Sequence, residues 1–170
     1  MKIVLLGYMA SGKSTVGRAF AQKTNTIFID LDAYIEEKEK LTITELFATK
    51  GEIYFRIQEI LYLKQILESY QDCVVSLGGG TPCYGDTMKM LLHADITTIY
   101  LKATINTLAK RLQLEKDKRP LVVELTEEKL AEYIGKHLFE RAPFYEQSTI
   151  KVQIDNRSVE EIIKEVEILL

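Results

Sequence analysis

A three-layer α/β domain built on a parallel sheet of about five strands is the fold this chain predicts, and three observations predict it. Short apolar runs alternate with helical patterns nearly throughout. Four of those runs lack polar alternation, as strands covered on both faces do. The first run leads directly into Gly7-Tyr8-Met9-Ala10-Ser11-Gly12-Lys13-Ser14, a G-x-x-x-x-G-K-[ST] loop that belongs between a strand and a helix.

In chain order, Lys2–Leu6 reads as the first strand, and Thr15 to Lys23 as a helix with Val16, Ala19 and Phe20 on one side. Ile27–Asp30 is the second strand, followed by a short helix over Ala33 to Lys38. Thr42-Ile-Thr-Glu45 is a capping box, in which a threonine hydroxyl and a glutamate satisfy each other's backbone amides at a helix start. Beyond it, Ile57, Ile60, Leu61, Leu63, Ile66 and Leu67 repeat at helical spacing across the longest helix. Cys73–Leu77 and Thr98–Leu101 are the third and fourth strands. Pro143 should end or bend the helix that carries Arg141. The fifth strand is Ile150–Ile154, and a second capping box, Ser158-Val-Glu-Glu161, opens a last helix over Val159 to Leu170.

Composition limits the rest. A chain of 170 residues, 46% hydrophobic, buries one good core, so residues 1–170 are expected to form a single domain. Lys and Arg number 22 against 25 Asp and Glu, a net charge of −3 with no basic run, which argues against a nucleic-acid partner. No apolar stretch approaches the ~20 residues of a membrane span, and Met1 to Leu6 is too short for a signal peptide. Cys73 and Cys83 lack metal-type spacing and read as reduced thiols in a cytoplasm. His93 and His137 are solitary and read as surface or packing residues.

Function follows from what the strands end in, because ligands of such sheets sit beyond the strands' carboxyl ends. Strand one ends in the phosphate loop. Its amides and the helix N-terminus concentrate positive potential, Lys13 adds a charge for the β- and γ-phosphates, and the Ser14 hydroxyl suits Mg²⁺. Ala10, Ser11, Gly12 and Thr15 complete this ATP-binding set. Strand two ends in Asp30-Leu31-Asp32. Both carboxylates face one site if the backbone stays extended, one beside the metal and the other accepting a proton from an attacking hydroxyl. The alternative is that Asp32 merely caps the following helix. Strand three runs into Gly78-Gly79-Gly80, which is tolerated where the backbone bends sharply or approaches something closely. Arg56 (with Glu59 at i+3), Arg119, Arg141 and Arg157 lie at element ends, where guanidinium groups suit a carboxylate or a phosphoryl group in transit.

The ordered set Gly7 to Arg18, Asp30-Leu-Asp32, Gly51-Glu-Ile-Tyr-Phe-Arg56 with Glu59, Leu77-Gly-Gly-Gly80, Arg119-Pro-Leu121 and Arg141-x-x-x-Tyr145 resembles the shikimate kinase family nearly end to end. The resemblance implies transfer of the ATP γ-phosphate to the 3-hydroxyl of shikimate, with Mg²⁺ as cofactor, by a cytoplasmic monomer. It implies that Asp30 and Ser14 serve the metal and that Asp32 binds the acceptor hydroxyls. Arg56 and Arg141 would hold the acceptor carboxylate beside Gly78, Gly79 and Gly80, with Glu59 orienting Arg56 and with Phe47 and Phe55 walling the ring. Arg119 would reach the transferred group from a lid over about 112–124, Arg111 and Arg157 would flank the adenine, and the substrate-binding segment would span about 32–60. Lys13, Asp32 and Arg119 form the catalytic set. The family commonly has glycine where this chain has Ala10, so a positive φ there would bring strain.

The rivals are a kinase of gluconate or of a nucleoside monophosphate, a GTP-dependent switch, and a nucleotide-binding regulatory domain without catalysis. The arginines, the Asp-Leu-Asp pair and the glycine triplet favour a small polyhydroxy acid over a nucleotide acceptor. No N-K-x-D sequence supports the switch, and Lys13, Asp32 and Arg119 are all present.

Overall fold

The computed structural model describes residues 1–93, 95–114 and 125–170. Among them, five parallel strands form one sheet in the order β2-β3-β1-β4-β5. They are β1 (Lys2–Leu6), β2 (Ile27–Asp30), β3 (Cys73–Ser76), β4 (Ile96–Lys102) and β5 (Ile150–Gln153). The helices are α1 (Lys13–Thr24), α2 (Leu31–Glu39), α3 (Ile43–Ser69), α4 (Thr87–Leu91), α5 (Ile105–Leu114), α6 (Glu127–Tyr145) and α7 (Val159–Leu169).

Alternation along β1 divides the core. Ile3 and Leu5 join one apolar cluster with Val16 and Phe20 of α1, Leu108 of α5, Ile134 of α6 and Ile163 of α7. Val4 and Leu6 face the other cluster, with Ile35 of α2 and Leu63 and Ile66 of α3. Successive strand side chains point to opposite faces, so one buried strand serves two helical layers. The register Asp30↔Ser76 and Leu5↔Ser76 aligns the carboxyl ends of β2, β3 and β1. The chain passes from β1 to the edge strand β2, returns to β3 beside β1 and then crosses to β4, and the phosphate loop lies where that direction reverses.

Both predicted capping boxes form, at Thr42 with Glu45 and at Ser158 with Glu161. One expectation needs correction, and two helices show how their glycine and proline act. Helix α2 begins at Leu31 rather than Ala33, because the Asp30 carboxylate caps it by accepting from Ala33 N–H. Helix α6 runs through Pro143 to Tyr145, the proline standing in the last turn with little helix left to break. Helix α3 is interrupted at Gly51 (φ 80°, ψ 168°), so the capped first part and the part carrying Arg56 are separate rods. Of the apolar positions at helical spacing in α3, Leu63, Ile66 and Leu67 are buried, whereas Ile57 and Leu61 are exposed.

Gly17 places α1 against the sheet. A Cβ there would lie 2.6 Å from Phe28 Cε2 and 2.8 Å from Leu5 Cδ1. Helix propensity alone favours alanine by about 1 kcal/mol, but overpacking costs about 1–3 kcal/mol. Gly17→Ala is therefore expected to lower the urea midpoint, by a net loss on the order of 1 kcal/mol; an increase would mean that Phe28 moves aside freely.

Candidate active site

The phosphate loop turns from β1 into α1 with Gly12 at φ 88° and Ala10 at φ 61°. Gly12 suits its conformation. Ala10 occupies the left-handed region with a methyl group, a strain of about 1 kcal/mol that the surrounding loop sustains. Lys13 is buried, and its ammonium donates to the carbonyls of Gly7 (2.9 Å) and Tyr8 (3.0 Å) across the loop.

Ser14 Oγ donates to Asp30 Oδ2 at 2.6 Å and lies 3.4 Å from Ser76 Oγ. These oxygens come from α1, β2 and β3, whose ends the sheet register aligns. They are hard donors, few in number, and fit a Mg²⁺ that keeps most of its shell from water and phosphate. Among the described residues no cluster of three or more His, Cys, Asp or Glu forms a metal cage.

Lys13, Ser14, Asp30, Asp32, Gly78 and Gly79 line one cavity of about 290 Å³. The two aspartates do share a site, but not through an extended backbone. Asp30 (φ −89°, ψ 118°) caps α2, and Asp32 stands in its first turn. The capping role raised for Asp32 thus belongs to Asp30. Burial, then the nearby carboxylates of Glu59 and Asp30, push the Asp32 pKa from 3.8 to about 6, with Lys13 opposing them.

The glycine triplet serves both a bend and close approach: Gly79 and Gly80 lie in a bend that Thr81 N–H closes onto Gly78 O at 3.2 Å, with no positive φ among the three. A Cβ at Gly78 would lie 3.1 Å from Asp32 Oδ1 and 3.3 Å from Glu59 Oε1. At Gly79 it would lie 3.4 Å from Arg141 Nη1, and at Gly80 3.0 Å from Arg56 Nη2.

Arg56 Nη1 donates to Glu59 Oε2 at 2.8 Å, and Glu59, 1% exposed, also accepts from Thr81 Oγ1 at 2.5 Å. The guanidinium lies 4.0 Å from the Tyr84 ring centroid and 5.2 Å from that of Phe55. Its Nε is buried without a hydrogen-bond partner, the Glu52 carboxylate standing 3.6 Å away. The guanidinium charge is thus shared by Glu59 and Glu52, and Arg56 borders a recess with Tyr84 and Gly85 that is separate from the cavity at Lys13 and Asp32. Phe55 is buried and Phe47, 38% exposed, packs on it with centroids 4.8 Å apart.

Arg111 and Arg157 line a separate recess of about 300 Å³ behind the loop, with Ala10, Gly12, Thr15, Val159 and Ile162. Arg111 Nη1 donates to Ala10 O at 3.3 Å. Arg157 is engaged with the carbonyls of Gln153 and Glu161 and the carboxylate of Glu165. Arg119 and most of the expected lid, 115–124, lie outside the described residues.

Sequence reasoning missed Thr81, Ser76, Tyr84 and the pair Tyr8–His137. Thr81 and Ser76 adjoin motifs and carried that signal. The tyrosines and His137 carried none, because their partners are distant in sequence.

A profile of the family described as shikimate kinase matches residues 9–169. A shikimate kinase of Flavobacterium johnsoniae is 44% identical over 165 residues, spanning 97% of this chain and 96% of that protein. The solved shikimate kinase of Bacteroides thetaiotaomicron superposes with a TM-score of 0.92 at 36% identity, covering 99% of this chain and 97% of that one. That of Acinetobacter baumannii, solved in complex with shikimate, gives 0.86 at 27% identity and covers 99% and 91%.

The raised pKa of Asp32 means that folding favours its protonated form. Its destabilising effect is absent below the unfolded value, grows between about pH 4 and 6, and is complete above. Asp32→Asn is expected to stabilise the ligand-free protein by on the order of 2 kcal/mol at pH 8, with the gain vanishing near pH 4. Urea unfolding at both pH values checks this, and a gain independent of pH would refute the electrostatic origin.

Proposed function

This chain belongs to the shikimate kinase family, and from that premise we propose how its residues divide the work of phosphorylating shikimate with ATP. The reaction carries the γ-phosphoryl group to the 3-hydroxyl, giving shikimate 3-phosphate and ADP. The observation that carries the assignment of roles is the convergence on the glycine triplet of Asp32 and Glu59 at Gly78, Arg141 at Gly79 and Arg56 at Gly80.

Arg56 and Arg141 hold the acceptor carboxylate. The approach of both guanidinium groups to the glycine triplet supports this, and Glu59, fixed by Thr81, sets the angle of the Arg56 guanidinium plane. Phe55 and Phe47 wall the ring. Asp32 receives the acceptor hydroxyl and, once ionised, accepts its proton; a pKa near 6 keeps it mostly ionised at neutral pH yet basic enough to help. Whether it removes a full proton or only aligns the oxygen matters little energetically, since a loose phosphoryl transition state needs position more than base strength.

The loop amides from Ala10 to Thr15 cradle the phosphates, and Lys13 exchanges its carbonyl partners for phosphate oxygens. Ser14 and Asp30 would hold Mg²⁺, which supplies charge neutralisation on the β- and γ-phosphates when bound. Arg111 and Arg157 border the recess that suits the adenine. Among the described residues no helix is long and apolar enough to cross a membrane. A cytoplasmic monomer acting on small molecules alone belongs to the same reading.

ADP release from Mg²⁺-ATP by the purified protein is expected with shikimate and not with gluconate, AMP or no acceptor. Turnover with AMP instead would keep the phosphate loop and discard the carboxylate clamp, whereas turnover with gluconate would keep both and discard shikimate as the acceptor. Arg56→Lys is expected to raise the shikimate KM at least tenfold despite its conserved charge, because the planar fork is lost; unchanged steady-state kinetics would remove Arg56 from the clamp.

A further inference from the structure

His137, Arg141 and Tyr145 stand four residues apart on α6, so they share one face of that helix. This face touches both loops that bound the cavity. Tyr145, fully buried, donates to Gly79 O at 2.5 Å. His137 Nδ1 lies 3.1 Å from the hydroxyl of Tyr8, the second residue of the phosphate loop. Between them, the Arg141 guanidinium sits 5.6 Å from the Tyr8 ring centroid, over the ring.

Tyr8 occupies a position where the phosphate-loop pattern demands no particular side chain, yet it is 1% exposed and part of the core. Its ring is held by the loop at the backbone end and hydrogen-bonded to His137 at the phenol end. The His137 ring packs edge-on against Tyr133, with centroids 4.2 Å apart at 63°. The imidazole therefore cannot swing without losing that contact. Burial and the Arg141 charge both lower the His137 pKa, which keeps the ring neutral and leaves one nitrogen able to accept.

We propose that His137 is a positioning residue for the acceptor site: through Tyr8 it fixes the aromatic surface on which Arg141 rests. It touches neither substrate. A cation over a ring is attracted most strongly when centred on the ring face, so a tilted Tyr8 would displace the guanidinium from Gly79 and from the carboxylate it grips. The proposal rests on the reading of Arg141 as a carboxylate ligand.

The test is steady-state kinetics with Mg²⁺-ATP and shikimate on His137→Phe, Tyr8→Phe, their double variant, His137→Gln and Arg141→Lys. Phenylalanine at 137 keeps a ring against Tyr133, and Tyr8→Phe removes a single oxygen, so one variant can carry the test if the other fails to fold. Each single change is expected to raise the shikimate KM roughly fivefold, the size of one hydrogen bond, with kcat within about twofold. The double variant should be no worse than either single one, and His137→Gln should recover part of the loss. Unchanged KM in the single variants, additive losses in the double variant, or a fall in kcat alone would overturn the link. If Arg141→Lys raises KM while the other variants do not, only the link fails. If Arg141→Lys leaves KM unchanged, the clamp itself fails, and the proposal with it.

Discussion

Side chains are crowded out of Gly78 and Gly80, and the rest of the site depends on that exclusion. Four charged groups reach the backbone of the triplet: Asp32 and Glu59 at Gly78, Arg141 at Gly79, and Arg56 at Gly80. A methyl group at Gly78 or Gly80 would push its neighbour by tenths of an ångström, whereas at Gly79 it would just touch Arg141. Glycine here serves space as much as the turn, since no residue of the triplet has a positive φ and Thr81 N–H closes the bend onto Gly78 O. Where charges must meet at a small ligand, the chain contributes bare backbone.

The same crowding sets the electrostatics. Three carboxylates, Asp30, Asp32 and Glu59, lie close enough to raise the pKa of the middle one. Each of the other two has its own donors. Asp30 accepts from Ser14 and from the start of α2, and Glu59 from Arg56 and Thr81. Asp32 is left with the burden of burial and repulsion, which is how a carboxylate acquires basicity near neutral pH. Activity and stability pull against each other at this residue.

Much of this was legible in the sequence, for reasons that differ by element. The five strands were readable because buried parallel strands are short apolar runs, and both capping boxes because their partners are three residues apart. The start of α2 was misplaced because Asp30 does two things at once, ending a strand and capping a helix. The break at Gly51 was partly legible, since the capping box at Thr42 and the start of the long helix near Arg56 lie on either side of that glycine. The left-handed turn at Ala10 was foreseeable only as a condition. Tyr8 with His137 joins residues far apart in the chain, and no local pattern announces such a pair.

The interruption at Gly51 gives the acceptor side a particular mechanical form. Glu39, the last residue of α2, accepts from Lys50 just before the break and from the hydroxyls of Tyr54 and Tyr62 beyond it. One carboxylate thus spans the gap like a strut across a joint. The rod bearing Phe47 and the rod bearing Arg56 are tied at a common pivot, and the pivot belongs to the helix that begins at Asp30 and Asp32. Ring wall, carboxylate grip and acidic pair are three arms of one linkage, joined where a positive φ calls for glycine.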